Sequence, residues 1–220
     1  MIVTYLCSIL LLIIAYLLGS IPNAVWIGKK YYGVDVREHG SKNAGSTNVL
    51  RVLGRRAALP VFALDIFKGF VAVTLIRLLG YLPDVSIAWI DSLSIVAVFV
   101  VILGHIFPIF ADFKGGKGVA TLVGAVIGIN PPIVLLCLGV WFVVFVLSHY
   151  VSLSSMIAGV CLPIFTLISP TARESMPFVI FTIVIAVLLI WTHRKNIERL
   201  RDGSESKIYI LKKKNITPKE

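Results

Sequence analysis

Between Val119 and Ala172 the chain runs 54 residues without one Asp, Glu, Lys or Arg. A helix that crosses a bilayer needs only about 20 apolar residues, so this stretch alone crosses more than once. With 58% of its 220 residues hydrophobic, the chain holds more apolar surface than a soluble domain of this length buries, and its solvent is largely lipid. The first 28 residues are uncharged as well. They lack the basic start and small-residue cleavage site of a signal peptide and read as a retained helix.

The expected fold is all-α: a polytopic transmembrane helical bundle of about seven spans, near 3–22, 57–79, 87–108, 119–129, 133–147, 152–169 and 177–192. Its breaks are chemical: Tyr81-Leu82-Pro83-Asp84, Asn130-Pro131-Pro132, Ser148-His149-Tyr150 and Ser169-Pro170-Thr171. The fourth and fifth spans are short, and form either a tight helical hairpin or one bent span in a five-helix count. Alternating sides brings together three segments, 23–56, 111–118 and 193 onward. These hold 7, 2 and 9 Lys and Arg residues, 18 of the 21 in the chain. The other side carries Asp84, Asp91 and Glu174 against Arg173, with Arg77 near a helix end. By the positive-inside rule the N-terminus lies outside and the C-terminus in the cytoplasm.

The chain thus reads as a single integral membrane domain, 1–220, with cytoplasmic motif segments 23–56, 111–118 and 193–205. This topology accounts for the formal net charge of +10 better than a nucleic-acid partner does, because no basic segment is interleaved with exposed aromatics in a soluble module. The Lys212-Lys213-Lys214 run suits an anionic-lipid contact or a frayed tail. Cys7, Cys137 and Cys161 are scattered through apolar runs without CxxC spacing, so neither a disulfide framework nor a zinc site is indicated.

All three segments on the basic side carry small, polar and glycine-rich patterns. The first runs from Asp35 to Arg51. Its glycines let backbone approach a ligand, Ser41, Asn43, Thr47 and Asn48 offer neutral donors, and Arg37 and Arg51 are planar forks suited to phosphate. The same residues suit a capped surface loop equally well. The second holds Gly104-His105 and then Asp112-Phe113-Lys114-Gly115-Gly116-Lys117-Gly118, followed at once by a helix. Glycines opening a helix free its first N–H groups for an anion, and Lys117 adds charge. This is not a Walker A loop, since Gly118 stands where Ser or Thr should follow the lysine. In the third, His193, Asn196 and Arg199 or Leu200 fall on one stripe of a helix leaving the membrane. Gly203 and Glu205 follow. Within the second span, Asp65 and Lys68 sit three apart. Intramembrane charge is a functional hypothesis by default, although an ion pair that neutralises itself explains it as well. His105 and His149 read as structural.

These blocks resemble, over essentially the whole chain, the bacterial acyl-phosphate:glycerol-3-phosphate acyltransferases, the PlsY family. The matching pieces are Gly19-Ser20-Ile21-Pro22, the loop from Gly40-Ser41-x-Asn43 to Arg51, Asp65-x-x-Lys68-Gly69, Gly104-His105 to Gly118, and His193-x-x-Asn196-x-x-Arg199. Lys42 and Ser46 depart from the Gly and Ala more frequent there. The resemblance implies acyl transfer from acyl phosphate to the sn-1 hydroxyl of glycerol 3-phosphate, giving 1-acyl-glycerol 3-phosphate and inorganic phosphate, the first step of phospholipid synthesis. It further implies an inner (plasma) membrane location with the site on the cytoplasmic face, and a functional link to the soluble enzyme that makes acyl phosphate. Ser41, Arg51, Lys117, His193 and Asn196 are then the expected catalytic residues, and Asn43, Thr47, Asn48, Lys68, Gly115, Gly116 and Gly118 the expected substrate-binding ones. Lys117 and the glycines are assigned to glycerol 3-phosphate, Arg51 and Ser41 to the acyl phosphate, and His193 with Asn196 to the attacking hydroxyl.

The His-x4-Asp pair of acyl-CoA-using acyltransferases is missing: five places after His39, His105, His149 and His193 stand Ala44, Phe110, Ser154 and Glu198. Nor is there a nucleophile elbow or an HExxH motif, so no metal or organic cofactor is expected. A transporter for an anionic solute would show repeated halves and midplane polar groups, whereas here the polar motifs gather at one surface. A membrane scaffold without catalysis would need no phosphate-type loop.

Overall fold

The computed structural model describes residues 1–83 and 85–209, so Asp84 and the Lys212–Lys214 run lie outside the described residues. Among the described residues every regular element is helical: α1 (Ile2–Ser20), α2 (Asn23–Tyr32), α3 (Ser46–Leu53), α4 (Arg55–Thr74), α5 (Ile87–Ile106), α6 (Val119–Ile127), α7 (Pro131–Ser148), α8 (Val151–Ile168), α9 (Met176–Thr192) and α10 (Arg194–Arg201). A 3-10 stretch, Leu75–Tyr81, extends α4. The protein is an all-α integral membrane bundle. Five runs are long and apolar enough to cross a bilayer: Ile2–Ser20, Arg55–Tyr81, Ile87–Ala111, Pro131–Ser148 and Val151–Ile168. α9 and α10 qualify only together, bent by 56°.

All seven expected apolar segments are helical, but α6 falls short of a span. Its nine residues rise about 14 Å, under half of the ~30 Å hydrocarbon core. The expected stop ends it, since the Asn130 Oδ1 accepts from Ile133 N at 3.3 Å and Pro131 and Pro132 occupy the first turn of α7. The basic-side helix leaving the membrane is not continuous either. Thr192 Oγ1 donates to the Leu189 carbonyl at 2.9 Å, and the His193 ring nitrogen Nδ1 reaches the same oxygen at 2.8 Å. Side-chain donors at this carbonyl accompany the break between α9 and α10.

α1 packs on α5, α4 on α6, α7 on α8 and α8 on α9. Lipid gives helices no hydrophobic reason to associate, so close contact through small residues does the work. A methyl group on Gly19 or Gly104 would run into the facing backbone of α5 or α1, and one on Gly69 or Gly124 into that of α6 or α4. The main core holds Ile76, Val98, Val101, Ala125 and Ile185. A separate small core, with Ala24, Val36, Val49, Ala57 and Val61, ties α2, α3 and the loop between them to the start of α4. It fixes the first motif segment over one end of the bundle.

Candidate active site

At that end a cavity of about 500 Å³ collects residues from all three motif segments. Ser41, Asn43, Thr47, Asn48 and Arg51 line it from the first, Lys117 and Gly118 from the second, His193 and Asn196 from the third. Three of the expected site residues fall outside its lining: Lys68, Gly115 and Gly116. Lys68 is buried in the bundle, its ammonium 2.9 Å from Asp65 Oδ1 and donating to the Ile21 carbonyl at 2.8 Å. Asn23 Nδ2 donates to the same Asp65 oxygen at 2.9 Å. The self-neutralising pair is thus realised, and it ties the Gly19-Ser20-Ile21-Pro22 corner to α4.

The glycine loop works differently from the expectation. Gly115 N donates to the Ile106 carbonyl and Gly116 N to the His105 carbonyl, each at 3.1 Å. Those amides are spent on closing the loop against the end of α5, and are not aimed at an anion. Gly116 is required for close approach, since a methyl group there would collide with His105 Nε2. His105 Nδ1 faces Thr121 Oγ1 at 3.0 Å, so the histidine braces the loop as well as lining the cavity. Gly118, at φ +82°, turns the chain into α6, whose first-turn N–H groups have no intrahelical partner.

Asn48 is also more structural than expected. Its amide donates to the carbonyls of Val36 at 2.7 Å and His39 at 3.1 Å, while its Oδ1 accepts from Ser41 N at 2.8 Å. This side chain shapes the loop that presents Ser41. Arg37 is likewise committed, to Asp35 at 2.8 Å and to the Ala111 carbonyl at 2.9 Å; the pair holds Asp35 well below the usual carboxylate range. Lys42, exposed at the loop tip, has φ +56°, a left-handed conformation that glycine adopts at no steric cost.

The centre of the site is a residue without a role in the sequence reading, Glu205. One carboxylate oxygen accepts from Asn196 Nδ2 at 2.8 Å and from Ser152 Oγ at 2.9 Å. The other accepts from Arg199 Nε at 2.6 Å, and Arg51 stands 3.7 Å from the first. Burial alone would raise its pKa, but the bonds from Arg199, Asn196 and Ser152 outweigh burial and hold it below the ordinary value. Its only signal in sequence was an acid following Gly203 in a basic tail. Through Glu205 the segment after α10 closes over the cavity, with Arg51 donating to the Ser206 carbonyl at 3.2 Å and Ile208 N to the His149 carbonyl at 2.9 Å.

Lys117 Nζ donates to Asn196 Oδ1, which turns the Asn196 amide nitrogen toward Glu205. Burial pushes the Lys117 pKa down to about 8; Glu205 resists, and Arg199 and Arg51 add to the fall. Burial also lowers that of Arg51, which stays charged. Because the Leu189 carbonyl only accepts, His193 Nδ1 carries the proton and Nε2 is the acceptor nitrogen. Arg51, Arg55 and Lys117 outnumber Glu205 and Asp65 in this lining, and Asp65 is already paired with Lys68; the arrangement is fit for phosphate. The remaining wall is apolar, with Leu59 and Phe62 on α4 and Leu138, Trp141 and Phe145 along one stripe of α7.

The family model described as "Glycerol-3-phosphate acyltransferase" matches residues 9–203. A glycerol-3-phosphate acyltransferase of Staphylococcus carnosus (strain TM300) is 42% identical over 200 residues, 91% of this chain and 97% of that one. One from Thermoanaerobacter sp. (strain X514) is 43% identical over 201 residues, 91% and 96% of the two chains. A crystal structure of PlsY, an integral membrane glycerol 3-phosphate acyltransferase, in its glycerol 3-phosphate form superposes with a TM-score of 0.81 at 38% identity, covering 92% of this chain and 96% of that one. Its lysophosphatidic acid form gives 0.78 at 37%.

Proposed function

From the premise that this chain belongs to the glycerol-3-phosphate acyltransferase family, we propose that its acyl donor is acyl phosphate and that its products are 1-acyl-glycerol 3-phosphate and inorganic phosphate. The observation that carries this is the shape of one cavity, cationic where Lys117, Arg51 and Arg55 meet and apolar along α4 and α7. Such a site suits a donor with a charged phosphate head and a long acyl chain, beside a small phosphorylated alcohol. The relative solved as glycerol 3-phosphate and lysophosphatidic acid forms holds ligands of the same chemistry.

In the proposed reaction the sn-1 hydroxyl oxygen attacks the acyl carbonyl carbon, the bond from that carbon to the phosphate oxygen breaks, and phosphate leaves with the electron pair. The hydroxyl proton passes to a substrate phosphate, whose second pKa of about 6 suits it as acceptor. Lys117 with the N-terminus of α6 holds the glycerol 3-phosphate phosphate, Arg51 and Ser41 hold the acyl phosphate, and His193 Nε2 and Asn196 orient the hydroxyl. Glu205 keeps Asn196, Arg199 and Arg51 in register. The activated anhydride needs alignment and charge stabilisation more than a strong base. The charge bias supports a cytoplasmic face for this site in the inner membrane, where a soluble enzyme supplies acyl phosphate.

The test is an assay of purified protein with palmitoyl phosphate and glycerol 3-phosphate, following inorganic phosphate and lysophosphatidate in equal amounts. Efficient turnover with palmitoyl-CoA in place of palmitoyl phosphate would refute the donor assignment.

A further inference from the structure

A second cavity, of about 60 Å³, lies among α6, α7, α8 and α9. Its lining is hydrocarbon and sulfur almost throughout, with Val126, Val134, Cys137, Gly159, Leu162 and Leu189 among its members. None of these belongs to the motif segments. Val119, Val123, Leu138, Trp141 and Ser155 line both cavities. Between them stands Trp141, its indole N–H donating to Ser155 Oγ at 3.2 Å and its ring stacked on Phe145 with centroids 4.9 Å apart. The apolar stripe of α7 therefore leads from the cationic site past Trp141 into the smaller space.

We propose that this small cavity receives the distal end of the donor's acyl chain, and that Gly159 and Trp141 set the chain length the enzyme prefers. The inference rests on the acyl-phosphate reading and adds a specificity subsite to it. A space of this size takes roughly four to six water-sized groups, so it accommodates a few terminal methylenes and not a whole chain. Burial alone cannot give selectivity, because the bilayer that the chain leaves is as apolar as the cavity. Discrimination comes from fit: a chain too long for the space must displace packed side chains. Overpacking a formed core costs about 1–3 kcal/mol, or roughly 5- to 150-fold. Gly159 keeps the space open, since a methyl group there would sit 2.8 Å from Leu189 Cδ1.

The experiment compares kcat/KM for lauroyl, palmitoyl and stearoyl phosphate, at saturating glycerol 3-phosphate, in the wild-type protein and two variants. Gly159→Leu fills the cavity and should lower the palmitoyl-to-lauroyl ratio by at least about fivefold while lauroyl transfer persists. Val126→Ala enlarges it and should raise the ratio of stearoyl to palmitoyl phosphate. An unchanged ratio in Val126→Ala overturns the proposal whatever Gly159→Leu does, and so does a folded Gly159→Leu protein with the wild-type ratio or an equal loss for both chains. Failure of the wild-type protein to use either acyl phosphate sinks the donor reading instead, so the two failures are distinct.

Discussion

Lys117 offers the most exacting test of the site. Its ammonium is buried beside Asn196 and Glu205, and burial brings its pKa to about 8. A lysine with a lowered pKa is charged below that value and loses its charge as pH rises through it. About nine-tenths of the free enzyme is therefore in the binding form at pH 7 and about one-tenth at pH 9. A charge-assisted bond to phosphate contributes roughly 1.5–3 kcal/mol, or about 10- to 150-fold in kcat/KM for glycerol 3-phosphate. The wild-type profile should fall above pH 8 by a factor in that range and then level off. Lys117→Ala should lie near this floor at pH 7 and show no basic limb there. Lys117→Arg stays charged throughout, so it should lack the limb while retaining more activity than alanine. The assay is initial-rate release of inorganic phosphate at fixed saturating acyl phosphate, from pH 6 to 10, on protein whose elution from size-exclusion chromatography matches wild type. A basic limb that survives in Lys117→Ala, or a loss under about threefold at pH 7, would remove Lys117 from the phosphate site.

Gly116→Ala must displace His105, because the added methyl collides with its ring; a loss of at least about tenfold in kcat/KM is expected without unfolding, read in the same assay. His193→Gln should raise KM for glycerol 3-phosphate and keep measurable kcat, with the acid limb of the pH profile intact because it belongs to substrate phosphate; collapse of kcat with loss of that limb would make His193 the base. In a background lacking Cys7, Cys137 and Cys161, single cysteines at Ser46, Lys114 and Ser204 should be shielded from an impermeant thiol reagent in intact cells and one at Thr171 should react; labelling of any of the first three would overturn the proposed sidedness. Lys42→Gly relieves a left-handed backbone, and after the entropy cost of glycine should stabilise by about 0.5 kcal/mol, a rise of roughly 1–2 °C in melting temperature that Lys42→Ala does not reproduce.

What the sequence determined by itself follows from local costs. Uncharged runs longer than a span require lipid, the Asn130-Pro131-Pro132 stop ends one helix and starts the next, and three segments rich in glycine and small polar residues carry the motifs that the structure gathers around one cavity. Each of these depends on residues close together in the chain. The tertiary structure decided what each polar atom pairs with, and that depends on residues far apart. Gly115 and Gly116 place their amides on the carbonyls of α5, Asn48 spends its amide within its own loop, and Lys68 caps the Ile21 carbonyl. No spacing rule reveals such commitments, because a donor's partner is chosen by whichever acceptor the packed helices bring near. Glu205 shows this most clearly: read in line it is one acid in a basic tail, and only when α8, α10 and the first motif loop converge does it become the buried carboxylate that Asn196, Ser152 and Arg199 all bind. The smaller cavity is likewise a property of four packed helices, since an empty space has no residue of its own to be read.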